Sequence, residues 1–255
     1  MLFWNALTGW QWVLLAVTGV SAGLVDAIAG GGGLLTVPVL LSVGLPPSAA
    51  LGTNKLQASF GSATAAWHYG RAGFVGVGRC VEGIAWTGAG AVLGALSVGR
   101  LSDGFLRSVI PVLLLSVLAF LVFRPRFGTV STEARVPRRW FHGVVGLGLG
   151  AYDGFFGPGV GAFWTFAYMG LQGMDLLGAT AHTKVMNFTS NAVALAVFAA
   201  GGQVCLLPGM VMAAGQLVGA RVGARLVIYR GTRLVRPVFL AVVTVIAVKL
   251  LWPAP

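Results

Sequence analysis

The sequence predicts an all-α integral membrane protein made of two copies of one unit, and three observations carry that expectation. Hydrophobic residues make up 57% of the 255-residue chain and charged residues only 9%, against roughly 25% charged in soluble domains. Apolar stretches close to the roughly 20 residues that cross a bilayer recur along it, separated by basic or glycine-rich breaks. A carboxylate followed by clustered glycines also occurs twice. Gly23-Leu24-Val25-Asp26-Ala27-Ile28-Ala29-Gly30-Gly31-Gly32-Gly33 is matched 127 positions later by Gly150-Ala151-Tyr152-Asp153-Gly154-Phe155-Phe156-Gly157-Pro158-Gly159, with Asp26 falling on Asp153, Gly30 on Gly157 and Gly32 on Gly159.

The first apolar run, 10–29, has no basic stretch before it and leads straight into Asp26 and the glycines, so it reads as a span and not as a cleaved signal. Four consecutive glycines hold a helix poorly, at about 1 kcal/mol each relative to Ala, so the helix should break there. The limb that follows, 34–45, is too short to cross, since about 12 helical residues reach only some 18 Å. It suits a re-entrant hairpin. Full spans are then expected at 49–69, 77–99 and 105–123. A basic segment from Arg124 to Arg139 separates this unit from the next. The pattern restarts with 140–156, broken where Pro158 disfavours helix in the two residues before it. A short limb at 160–171 follows, then spans at 177–200, 208–229 and 234–252. The division is therefore a first transmembrane repeat at 1–123, a basic cytoplasmic linker at 124–139 and a second repeat at 140–255. Each repeat has about four helical segments, and the first is glycine-broken, either re-entrant or discontinuous.

The repeat extends past the glycines. With a two-residue insertion Lys55 aligns with Lys184 and Gly73 with Gly202; further on, at a shorter offset, Gly90 falls on Gly215, Gly94 on Gly219 and Arg100 on Arg225. Arginine placement bears on orientation. In the first half Arg71 and Arg79 follow the span at 49–69, whereas the equivalent stretch 201–207 is uncharged and the arginines fall one loop later, from Arg225 to Arg236. Equivalent loops then face opposite sides, which predicts inverted-topology repeats. Arg100 and Arg107 sit on the outer side in this scheme, and parallel repeats of four plain spans are the competing arrangement.

Chemistry concentrates at the breaks and the lysines. Irregular backbone at membrane depth is tolerated where it lines a cavity or is buried in protein, and the helix resuming after Gly30, Gly31, Gly32 and Gly33, or after Gly157 and Gly159, would aim unpaired N–H groups inward as an anion site. The plainer reading is that the glycines merely allow close helix crossing. Lys55 and Lys184 each head a polar helical stripe, with Ser59 and Ser62 below Lys55 and with Asn187 and Asn191 below Lys184. A charge near the bilayer centre needs a partner or a cavity. The lysines therefore either share a substrate anion or are neutralised by Asp26 and Asp153, and both can hold. Thr53, Asn54 and Thr183 complete the candidate substrate-binding set. Asp26 and Asp153 are the candidates for proton coupling. His182 points away from the Lys184 face, His68 and His142 read as interfacial, and Glu82 has no evident partner.

Other classes are poorly served. The sequence has no hydrolase, zinc-protease or phosphate-loop motif, and Cys80 and Cys205 lack metal or redox spacing. No enzyme activity, cofactor or metal is expected. The net charge of +11 would suggest nucleic acid in a soluble protein; here the arginines lie between apolar segments and serve topology and anionic lipid. Glycine-rich faces at 88–94 and 215–223 pack either internally or between protomers, which leaves a homo-oligomer open.

Taken together, Gly23-Leu-Val-Asp-Ala-Ile-Ala-Gly-Gly-Gly-Gly33, Ala50-Leu-Gly-Thr-Asn-Lys55 and Thr183-Lys184-Val-Met-Asn-Phe-Thr-Ser-Asn191, followed by Gly201-Gly202-Gln-Val, resemble the sulfite exporter TauE/SafE family of transporters over nearly the whole chain. The second copy departs from the family step, with Ala181-His182-Thr183 in place of Gly-Thr-Ser/Asn. The resemblance implies a bacterial inner-membrane, multi-pass permease for sulfite, sulfonates or related organic anions, coupled to protons. A cation channel or transporter using Asp26 and Asp153, and a membrane scaffold without transport, are the alternatives.

Overall fold

A computed structural model describes residues 7–123 and 131–230. The expected span 234–252 and most of the linker's first half lie outside the described residues. The described residues form helices joined by short turns and loops, with no strand among them. Helix α1 (Gly9–Ala29) stops where Gly30 turns to φ 78°, a left-handed conformation that costs residues with a Cβ about 1–2 kcal/mol. Helix α2 (Gly32–Ser42) starts two residues later and is only 11 residues long. Helix α3 (Pro47–Arg71) opens on a proline, whose missing N–H is no loss in a first turn. A 3₁₀ turn (Val77–Cys80) leads into α4 (Val81–Val98), and α5 (Asp103–Phe123) closes the first half.

The second half begins as one rod: α6 (Arg138–Trp140), a π-helical stretch (Phe141–Gly146) and α7 (Leu147–Phe155). Its break passes through Gly157 at φ 97° and Gly159 at φ 82° before α8 (Val160–Gln172). Helix α9 (Leu176–Ala200) is capped by Asp175, whose carboxylate accepts the Gly178 N–H at 3.1 Å. Helix α10 (Leu206–Arg230) ends the described chain.

Glycines decide which helices meet. A Cβ built on Gly19 would lie 2.4 Å from the Met212 carbonyl oxygen, and one on Gly219 would lie 2.0 Å from that of Val20. Helices α1 and α10 therefore touch backbone to backbone, as small residues allow in membranes. The same seam joins α4 to α7, where a Cβ on Gly94 would meet the Ala151 carbonyl oxygen at 2.0 Å and one on Gly154 that of Ala91 at 2.2 Å. The glycine-rich faces at 88–94 and 215–223 are thus internal seams of one chain.

The contact registers also give direction. Gly19 faces Met212 and Gly23 faces Gln216, so α1 and α10 run the same way; Gly209 against Leu56 and Gly61 against Gln216 add α3 to that group. Gly90 against Leu147, Gly94 against Phe155, Gly83 against Met186 and Gly88 against Val193 make α4, α7 and α9 a second parallel group. The two groups meet through α3 and α9. The Gly52 Cα lies so close to the backbone just past α9 that a Cβ there would be 2.1 Å from the Gln203 carbonyl oxygen, and the Cys205 N–H donates to Thr53 Oγ1 at 2.9 Å.

The outer surface is apolar. Trp10, Val13, Val17, Leu93, Leu96, Val112, Val218 and Val222 are all exposed, a liability in water and the natural state against lipid. Gly9–Ala29, Gly78–Val98 and Leu206–Arg230 are each long and apolar enough to cross a membrane. Lys55 and Lys184, the polar residues that make α3 and α9 look less like spans, are fully buried inside. The chain is a multi-pass membrane protein.

Candidate functional site

The two helix breaks touch. A Cβ on Gly30 would sit 2.6 Å from the Gly161 backbone, and one on Gly33 would sit 3.0 Å from the Pro158 Cα. Breaking a helix leaves its last carbonyls without partners, and the sequence supplies donors for them. Gly30 N–H closes back on the Asp26 carbonyl at 2.9 Å. Tyr69 Oη donates to the Ala27 carbonyl at 3.0 Å, and Tyr152 Oη to that of Pro158 at 2.7 Å.

The lysines complete this accounting by reaching across the molecule. Lys55, from the first half, donates to the backbone carbonyl of Asp153 and to its Oδ1 at 2.6 Å. Lys184, from the second half, donates to the backbone carbonyl of Asp26 and lies 3.3 Å from its Oδ2. Each ammonium thus sits at the negative end of a broken helix, where the macrodipole favours a cation, and pairs with the carboxylate of the other half. The expected neutralisation of lysine by aspartate is present twice, in crossed form.

The two pairs are not equivalent. Asp153 has only 1% of its side chain exposed, and its second oxygen also accepts from Ser190 Oγ. The Asp26 carboxylate is 19% exposed, its ion pair is longer, and its only other hydrogen bond among the described residues comes from the Gly32 N–H at 3.4 Å. Asp26 is the looser of the two.

Around Asp26 and Asp153 lies a cavity of about 20 Å³, lined also by Gly30, Gly32, Gly33, Asn54, Gly157, Gly159, Asn187 and Asn191. That is room for about one water molecule. Ten of the sixteen residues singled out in the sequence therefore share one space. The other six do not line it. Lys55 and Lys184 stand behind their carboxylates. Thr53 holds the Cys205 N–H. Ser59 returns to the Lys55 carbonyl at 2.7 Å, Thr183 lies 3.2 Å from Thr165 Oγ1, and Gly31 has only Leu34 and Val25 nearby.

Sequence reasoning missed Gln216, which lines the cavity from α10. Its Nε2 donates to Gln57 Oε1, Gln57 Nε2 donates to Asn54 Oδ1 at 2.7 Å, and Thr36 Oγ1 donates to the same oxygen at 2.5 Å. In the sequence alignment of the two halves Gln216 falls on Ala91 and Gln57 on Met186, so no matching glutamine pair is expected in the other half. An unmatched buried glutamine against an apolar counterpart was the available signal. Asn187 Oδ1 and Gln216 Oε1 are buried with no hydrogen-bond partner among the described residues. His142 is buried, 3.7 Å from Glu82, where an interfacial histidine and a partnerless glutamate were expected.

Comparison with known proteins gives one consistent answer. A family described as Sulfite exporter TauE/SafE matches residues 15–250. The chain is similar to the probable membrane transporter protein YfcA of Escherichia coli (strain K12), 41% identical over 231 residues, 91% of this chain and 86% of the relative. It is similar to the probable membrane transporter protein ORF9 of Sinorhizobium sp, 39% identical over 237 residues, 93% of this chain and 91% of the relative. A probable membrane transporter protein of Haemophilus influenzae is 38% identical over 239 residues, 94% of each chain. No solved structure gives a significant match.

Proposed function

Because the chain belongs to the sulfite exporter TauE/SafE family and is therefore a membrane transporter and not an enzyme, we propose that it carries small monoanions such as sulfonates, hydrogensulfite or related carboxylates, coupled to protons, across the bacterial inner membrane. Its site is the cavity between the two helix breaks. The fold behind it is a pair of inverted-topology repeats, 1–123 and 140–255, with glycine-broken first segments. The opposed directions of the α1–α3–α10 and α4–α7–α9 groups support that arrangement.

The observation that carries the mechanism is the loose Lys184–Asp26 pair at the cavity wall. Two lysines and two aspartates give the site no net charge, so a bare anion gains little there. A proton taken up by the Asp26 carboxylate removes its hold on Lys184 and leaves that ammonium free to face the anion. One proton and one monoanion together keep the site neutral, which couples their movement. The N–H groups at the starts of α2 and α8, with Asn54, Asn187 and Asn191, orient the bound anion. Asp153, held by Lys55 and Ser190, fixes the opposite wall. A cavity with room for one water has to widen to take an anion, and the meeting breaks are where the backbone can give.

The test is transport of labelled anion into proteoliposomes under an imposed pH gradient, with sulfite, taurine, sulfoacetate and short carboxylates compared. Asp26→Asn should keep substrate-dependent thermal stabilisation and lose the response of transport to the pH gradient. Lys184→Ala should lose both. Undiminished, gradient-driven transport by Lys184→Ala would sink the assignment, and flux that follows a cation gradient whatever the anion would favour a cation pathway through Asp26.

A further inference from the structure

A second basic site lies outside the transport cavity, in the groove between the C-terminal third of α3 and the middle and later turns of α10. The groove encloses about 480 Å³ and is lined by Trp67, His68 and Arg71 from α3 and by Leu217, Val218, Arg221 and Arg225 from α10, among others. Arg221 and Arg225 stand one turn apart on the same face, and the Arg71 guanidinium lies 5.5 Å from the centre of the Trp67 ring. Three arginines therefore line one space.

Among the described residues no acidic side chain forms an ion pair with them. The chain has six acidic residues, Asp26, Glu82, Asp103, Glu133, Asp153 and Asp175, all among the described residues. The ion pairs they form involve Lys55, Lys184 and His142, and none involves Arg71, Arg221 or Arg225. Three cations with no acidic partner among the described residues, on a lipid-facing groove, call for an anion from outside.

The groove is also graded along its length. Arg221 is roughly 22 Å from the start of α10 at 1.5 Å per residue, and Arg225 is one turn further, at the depth of a bilayer's headgroup region. Leu217 and Val218, one turn earlier, are exposed on the same span. Trp67, an interfacial residue type, is 64% exposed at the boundary between the two parts. A free anion would use only the basic end. A phospholipid uses both, with its phosphate among the arginines and an acyl chain along Leu217 and Val218.

We propose that this groove is a binding site for an anionic phospholipid of the leaflet that faces the arginine-rich side. The lipid bridges α3, which carries Lys55, and α10, which carries Gln216, and so braces two helices that build the transport cavity. The site stands independently of which anion is transported.

Native mass spectrometry of the full chain released from detergent tests it. Phosphatidylglycerol, phosphatidylcholine and inorganic phosphate are titrated separately, and thermal stability is followed in parallel. The wild type should retain one phosphatidylglycerol in preference to phosphatidylcholine and gain stability from it, while inorganic phosphate does neither. The double variant Arg221→Gln/Arg225→Gln should bind that lipid about tenfold more weakly, whereas Arg100→Gln/Arg107→Gln at the other end should not change it. Val218→Trp, which fills the apolar part and keeps every charge, should weaken binding as well and stands in if the double variant does not fold. Equal phosphatidylglycerol binding by wild type and either groove variant would overturn the proposal. So would stabilisation by inorganic phosphate equal to that by the lipid.

Discussion

Asp26 and Asp153 hold matching places in sequence, yet their surroundings differ. Both lysines are fully buried, but Asp153 is buried as well and also accepts from Ser190, so Asp153→Asn breaks a fully enclosed pair, a change that costs about 3–5 kcal/mol. Thermal unfolding in detergent should show a large loss for Asp153→Asn and a smaller one for Asp26→Asn, whose carboxylate is partly exposed and more weakly held. Equal losses would mean that the two pairs are structurally interchangeable and would remove the basis for giving the proton to Asp26. The sequence made the four charges legible because a carboxylate or ammonium in an apolar run has few explanations. Which lysine meets which aspartate was not legible, since the crossed pairing depends on α3 and α9 lying side by side. Gln57 and Gln216 were invisible for a related reason: each is an ordinary polar residue on its own helix, and only the contact between α3 and α10 turns them into a chain ending at Asn54.

At the scale of elements, the four glycines from Gly30 to Gly33 look alike in sequence and are unequal in space. Gly30 has φ 78° and a Cβ there would lie 2.6 Å from the Gly161 backbone, while at Gly31 φ is −120° and the nearest atoms are 3.7 Å away. Gly30→Ala combines left-handed strain of about 1–2 kcal/mol with a clash against an immovable backbone, and it should abolish transport and lower thermal stability. Gly31→Ala should leave both near wild type. Proteoliposome flux and unfolding of the two variants side by side check this, and a harmless Gly30→Ala would mean that the breaks need not touch. Helix ends were otherwise readable: 10–29, 49–69 and 177–200 in the sequence became Gly9–Ala29, Pro47–Arg71 and Leu176–Ala200. Apolar length and glycine or proline punctuation act locally and so survive in one dimension. The π-helical stretch through His142 was not readable, because nothing in Phe141–Gly146 marks it.

At the scale of the whole molecule, the crossed ion pairs and the paired glycine seams describe an exchange: what the first half does to the second, the second does to the first. Helix α1 packs on α10 as α7 packs on α4, and the aligned positions Gly94 and Gly219 serve the same close approach in both seams. If the repeats are inverted, aligned positions must also face opposite sides of the membrane. Ala72 and Gly201 cap the C-termini of α3 and α9 and align with each other. In a chain with Cys80 and Cys205 replaced by serine, Ala72→Cys and Gly201→Cys should react with an impermeant thiol reagent from opposite faces of sealed vesicles. Position 72 should be reached from the cytoplasmic face, because Arg71 beside it belongs to the basic end that the positive-inside rule places there. Labelling of both from one face would require parallel repeats. Helices α3 and α9 would then have to run the same way, and the end of α3 near Gly52 could not rest, as it does, on the backbone that follows α9.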